Sequence, residues 1–181
     1  MSHVRFATTQ AVFDAFPEMV DKISVKPTDQ SPIHFLRDLI ANDKIADAVT
    51  FCAYLLPRRE AVWWACGSVR TLLPDIPQAR AGGLLAAEAW VSQSDDDHRR
   101  AALELGTNGD TKDPATWLAL AAGWAGGLLV SNPKSQVPMP QYMTPRAVRI
   151  AIVTSSTGLP KDERITRLKA CVQEGINLAE Q

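Results

Sequence analysis

Cysteine is scarce. Only Cys52, Cys66 and Cys171 occur in 181 residues, and none belongs to a CxxC pair. An odd number of scattered thiols argues against a disulfide framework and against a thiolate zinc site. Their apolar neighbours mark them as small core side chains of a protein from a reducing compartment, read most simply as the cytoplasm. Histidine is as rare. His3, His34 and His98 form no i, i+3 or i, i+4 pair and no HExxH, so no metal site is assigned. GxSxG, SxxK, GxGxxG and the P-loop are all missing, so no catalytic residue and no cofactor is assigned either. Neither sign of charge is in excess. Lys plus Arg number 19 and Asp plus Glu 20, a formal net charge of -1. That balance argues against a protein built to hold nucleic acid. Met1–Gln10 lacks an apolar run of seven, so no secretory signal is expected. Sustained alternation of apolar and polar residues is also lacking, which gives strands little support.

What is present is helical periodicity. Ile45, Ala48, Val49, Cys52 and Leu56 lie on one face of a helix, and Ile165, Leu168, Val172, Ile176 and Ala179 do the same near the C-terminus. A polar residue followed by proline marks helix starts at Ser31-Pro32, Asp113-Pro114 and Thr144-Pro145. The side-chain oxygen accepts an orphan N–H, and proline at the first helical position gives up no hydrogen bond. Pro57 and Pro160 start helices without a polar cap. The reading is nine helices, near 8–16, 32–41, 44–56, 58–73, 77–92, 96–105, 114–131, 145–156 and 161–179. Short joints predict an all-α fold, an irregular bundle of stacked antiparallel hairpins. Residues 1–30 read as an N-terminal helix and linker, and 31–181 as a single all-helical domain. The segment NPKSQVPMPQ, residues 132–141, is expected to run extended over the surface. No fixed-period repeat is found.

From Pro114 to Pro133 no residue is charged, and the length reaches that of a membrane span. Its core is short and rich in Ala and Gly, so a buried central helix is expected and no membrane partner. Gly123–Gly127 is expected to let one helix pack closely on another. The acidic run Asp95-Asp96-Asp97 before His98 reads as a helix start, with Ser94 or Asp95 as cap and the carboxylates facing the positive end of the dipole.

The most distinctive stretch is LLPRREAVWWAC, residues 55–66. Glu60 suits a helix N-terminus, whereas Arg58 and Arg59 do not. The two arginines are expected to meet a carboxylate from Asp43, Asp47 or the 95–97 cluster, or to bind an anion or a partner. Trp63 and Trp64 are adjacent and point to different faces, so at most one belongs fully to the core. A partly exposed tryptophan would be an interface anchor. Cys66 reads as a packed structural thiol, with Arg59 and Arg70 at helical spacing from it. The candidate interaction or anion-binding residues are therefore Arg58, Arg59, Glu60, Trp63, Trp64 and His98, with Asp97 beside the last.

Residues 46–70, ADAVTFCAYLLPRREAVWWACGSVR, are the core of a family resemblance. AAEAWV at 86–91, RRAALELG at 99–106, ATWLALAAGWAGG at 115–127 and VPMPQYMTPRAVRIAIV at 137–153 extend it. The chain resembles a small all-helical bacterial family of unknown function associated with type VI secretion gene clusters. That resemblance implies an accessory, adaptor or immunity-type role and carries over no catalytic residue. The functional expectation is a non-enzymatic, cytoplasmic protein-interaction module whose partner is another protein. The alternative is a small-ligand-binding protein or enzyme with a site between helices.

Overall fold

The computed structural model describes residues 5–132 and 134–181. Met1–Val4, with His3, and Pro133 lie outside the described residues. Among the described residues the fold is all-α, with one small β-hairpin. The helices are α1 (Thr9–Ala15), α2 (Pro32–Ala41), α3 (Ile45–Leu55), α4 (Arg58–Leu72), α5 (Gly82–Gln93), α6 (Asp96–Asn108), α7 (Pro114–Gly123), α8 (Met143–Ser156) and α9 (Lys161–Glu180). Short 3-10 turns occur at Pro17–Lys22 and Gln78–Arg80.

Helix α4 is a junction of the bundle. It packs against α5, α7, α8 and α9, and far more extensively against α8 and α9 than against its sequence neighbour α3. α5, α6 and α7 pack on one another. α9 crosses α2, α3 and α4. Elsewhere in the core, Phe13, Phe35 and Phe51 form an aromatic cluster, with Phe35 edge-to-face against both others, 4.8 Å from Phe51, and Phe13 tilted against Phe51. Phe16 meets Tyr54 at 5.2 Å. These rings, with Val12, Met19 and Ile23, join the N-terminal segment to the same buried core as α3 and α4. Asp47, only 8% exposed, accepts from the Ser24 N–H at 3.2 Å and its hydroxyl at 2.6 Å, which pins the segment following the first 3-10 turn.

The caps follow the sequence at α2, where Ser31 accepts from the His34 N–H, and at α7, where Asp113 accepts from the Ala115 N–H. Pro57 and Pro160 occupy the capping positions of α4 and α9. Thr144 departs from the expectation. α8 already begins at Met143, and the Thr144 hydroxyl is fully buried and donates to the Ala121 carbonyl of α7 at 3.1 Å. A longer-range acceptor has outcompeted the local cap.

Two further expectations are corrected. The helix expected over 77–92 starts at Gly82, since Pro77 and Gly82-Gly83 leave only a 3-10 turn before it. The uncharged helix expected over 114–131 ends at Gly123. Gly126 and Gly127 follow, with Gly127 at φ 79°, a left-handed conformation that glycine adopts without a steric penalty. The chain then enters β1 (Leu128–Asn132), antiparallel to β2 (Ser135–Pro138), with Ser131 opposite Gln136 and an irregularity between Leu128 and Val130. The expected extended run over 132–141 thus contains a paired strand. α7 itself is buried almost all round. Among the described residues no helix is long and apolar enough to cross a membrane.

Gly123 holds α6 and α7 together as expected of a small residue. A Cβ there would stand 2.6 Å from the Leu103 Cα and 2.9 Å from its backbone nitrogen. Backbone cannot rotate away as a flexible side chain can. Gly123→Val should therefore destabilise the protein by about 1–3 kcal/mol through overpacking. A urea titration that leaves the midpoint unmoved would show that α6 and α7 can part freely.

Candidate functional site

The unusual dipeptide Arg58-Arg59 is explained by backbone carbonyls. Arg58 Nη1 donates to the Ala125 carbonyl at 2.7 Å, and Arg59 Nε donates to the Val91 carbonyl at 2.8 Å. Val91 lies in the last turn of α5, where free carbonyls carry the negative end of the dipole. Arg99 adds a third such bond, from Nη1 to the Gly123 carbonyl at 2.9 Å. The carboxylates expected to meet Arg58 and Arg59 are engaged elsewhere. Asp43 takes Lys169 at 2.7 Å, and Asp96 takes Arg99 and Arg100 at 2.7 Å. Asp95, rather than Ser94, caps α6 by accepting from the His98 N–H at 2.8 Å, and it also meets the His98 ring at 2.7 Å. Those two contacts hold the Asp95 carboxyl below the usual range. Ser94 ends α5 at φ 55°.

The adjacent tryptophans part company. Trp64 is 4% exposed, and its Nε1 donates to the Cys171 carbonyl of α9 at 2.7 Å. Trp63 is 55% exposed. It stands on a stripe of α4 formed by Arg59, Trp63, Gly67, Arg70 and Thr71, all solvent-facing. Those positions are four or three apart, so they share one helix face.

α5 and α9 flank that face. The result is a groove with two adjoining clefts of about 450 Å³ each, both lined by Trp63, Glu88 and Leu178. The first cleft runs over Gly67, Arg70 and Thr71 to Ala170, Glu174 and Asn177 of α9. The second runs over Arg59 and Glu60 to Val91 and Ser92 of α5. Arg70 and Glu88 bridge the groove by a two-pronged ion pair, Nε to Oε1 at 2.7 Å and Nη2 to Oε2 at 2.8 Å. That bond raises the Arg70 pKa further. Leu85, 52% exposed, lies one turn before Glu88 on the same side of α5.

Gly67 forms part of the floor. Apart from its own helix, nothing lies within 4 Å of where its Cβ would stand. Mid-helix glycine costs about 0.5–1 kcal/mol relative to alanine. No neighbouring element requires the missing methyl, so Gly67 leaves its part of the cleft floor bare, on the same cleft as Trp63.

Of the sequence candidates, Arg59, Glu60, Trp63 and Trp64 line the groove. Arg58 stands beside it, bonded away toward Ala125. Arg5 lies near enough for Arg58 and Glu60 to affect it. Burial first, and the Arg58 charge second, lower the Arg5 pKa, while Glu60 opposes them. His98 and Asp97 sit on the first turn of α6 and do not line the groove. Cys66 is a packed thiol, raised well above its usual pKa by burial first and by Glu88 second, with Arg70 working against both. Among the described residues no group of three His, Cys, Asp or Glu is placed to hold a metal ion. Gly67, Leu85, Glu88, Glu174 and Leu178 escaped sequence reasoning. The signal available for the first was the spacing of Arg59, Trp63, Gly67 and Thr71.

Fold and site together define an all-α protein with an open, tryptophan-edged groove over α4. The chain belongs to a family of unknown function, DUF6931, matched over residues 35–179. No curated protein and no solved structure matches it.

Proposed function

We propose that the chain is a non-enzymatic, cytoplasmic protein-interaction module that binds another protein through the Trp63 groove. The observation that carries this reading is the 55% exposure of Trp63 at the edge of an open groove, beside a tryptophan that is buried. Trp63 shares its edge of the groove with exposed Leu85 and half-buried Leu178, and an apolar patch rimmed by charged residues is what interaction sites present, with tryptophan and arginine supplying much of interface energetics. The resemblance carried by LPRREAVWWA adds the context of type VI secretion, in an accessory, adaptor or immunity-type role. The three free, buried cysteines support a reducing compartment.

The test is affinity purification of the tagged chain from its native host, with wild type and Trp63→Ala compared by mass spectrometry. One stoichiometric partner is expected, and the variant should bind it roughly 30-fold more weakly, the loss of a hot spot of about 2 kcal/mol. Capture unaffected by the substitution would refute the reading. A second reading rests on cleft size. About 450 Å³ falls within the range of small-molecule sites, so a bound metabolite is the alternative occupant. A thermal-shift screen that raises the melting temperature of wild type but not of Gly67→Leu would favour it.

A further inference from the structure

Residues 5–30 form a strap over an aromatic groove made by α2 and α3. Phe13 of α1 meets Phe35 of α2 and Phe51 of α3, with centroids 6.4 and 6.0 Å away. Phe16 meets Tyr54 of α3 edge-on. None of the five rings is more than 4% exposed, so the strap closes this groove to solvent. None of them lines the Trp63 groove.

The strap is bonded mainly to itself. The Thr9 N–H donates to the Gln30 carbonyl at 2.9 Å, and the Gln10 N–H to the Thr28 carbonyl at 3.2 Å. Among the described residues no backbone–backbone bond runs from 5–30 to the helices beyond. The polar clamp is the Asp47 carboxylate, which takes the Ser24 N–H and hydroxyl. Such a segment can lift with its internal bonds intact, giving up apolar contacts and one clamp. Glu18 favours the lifting. Its Oε1 is closed off from solvent with no hydrogen-bond partner, and opening returns it to water. The strap also precedes residue 35, where the family match begins. We infer that the groove of Phe35, Phe51 and Tyr54 is a peptide-binding site that this chain occupies with its own residues 5–30. The ligand it takes is a short amphipathic helix with aromatic side chains three positions apart, Phe13 and Phe16, followed by the apolar Met19. A segment of another protein with that pattern competes with the strap. This site is separate from the Trp63 face, and neither reading rests on the other.

Native-state hydrogen exchange of the full chain, read by mass spectrometry, tests the strap. Residues 5–30 should open without α4, and Ser24→Ala, which removes the hydroxyl bond to Asp47, should speed their exchange about tenfold while leaving α4 unchanged. A dye-labelled synthetic peptide of residues 5–30 tests the groove. It should bind the full-length Phe13→Ala/Phe16→Ala variant at least tenfold more tightly than wild type, whose own strap competes. The same peptide carrying both substitutions should bind neither. Should the double variant unfold, Ser24→Ala takes its place, with peptide affinity raised by the same factor as its exchange, because both report the open fraction. Exchange of 5–30 in step with α4 overturns the inference by making the segment part of the indivisible core. A peptide that binds variant and wild type alike, or neither, overturns it as well. Dependence of partner capture on Trp63 is decided separately, by the affinity purification.

Discussion

Trp64→Ala is expected to lower the unfolding free energy by about 3–5 kcal/mol, whereas Trp63→Ala, one residue earlier, should change it by less than about 1 kcal/mol. The difference is burial. Trp64 is enclosed between α4 and α9, where Gly175 makes room for it. A Cβ on Gly175 would stand 3.0 Å from the indole nitrogen and closer still to the Cys52 sulphur. Truncating Trp64 opens a cavity that the neighbouring helices cannot fill, and it leaves the buried Cys171 carbonyl without its 2.7 Å donor. Trp64→Phe keeps most of the volume and loses the hydrogen bond, so an intermediate loss is expected. Urea denaturation of the three variants, read by far-ultraviolet circular dichroism, decides the matter. Equal losses for Trp63→Ala and Trp64→Ala would mean that the α4 face bearing Trp63 is covered in solution.

The double substitution Arg58→Ala/Arg59→Ala should cost roughly 2–4 kcal/mol, on the order of two hydrogen bonds from charged donors, reduced at Arg59 by its exposure. Each guanidinium ties the start of α4 to a carbonyl at the far end of another element, at Ala125 beyond α7 and at Val91 in α5. Without them, two terminal carbonyls lose a partner and the α4–α5–α7 junction loosens. Denaturation midpoints of the single and double variants provide the measurement. A double variant as stable as wild type, yet deficient in partner binding, would move both arginines from the scaffold to the interface.

Much of the architecture was legible in the order of residues. Helical periodicity and proline-marked starts located the α-helices of the described residues, though not all of their ends, because a 3.6-residue apolar repeat and a capping oxygen are local properties. The errors came where a longer-range term outweighed a local one. Thr144 looked like a cap and became a donor to the Ala121 carbonyl, since a buried carbonyl gains more from a hydroxyl than a solvated helix end does. The run Pro114–Pro133 looked like a single helix because nothing in it is charged. The left-handed Gly127, lying against the Arg99 guanidinium, turns the chain into a hairpin instead.

The candidate site divides in the same manner. Arg59, Glu60, Trp63 and Trp64 could be picked out as unusual from the sequence, since arginines at a helix start and two adjacent tryptophans cannot all be satisfied locally. Their roles could not. By itself, the sequence determined that at most one of the two tryptophans could belong fully to the core, that the cysteines would be packed thiols, and that Pro57 would open α4. Only the tertiary structure decided which tryptophan the core takes, that backbone carbonyls rather than carboxylates receive the arginines, and that Gly67 lies under open space. Those outcomes depend on how α5, α7 and α9 dock on α4, and docking is the sum of contacts between residues far apart in the chain, such as Trp64 and Cys171, 107 positions apart.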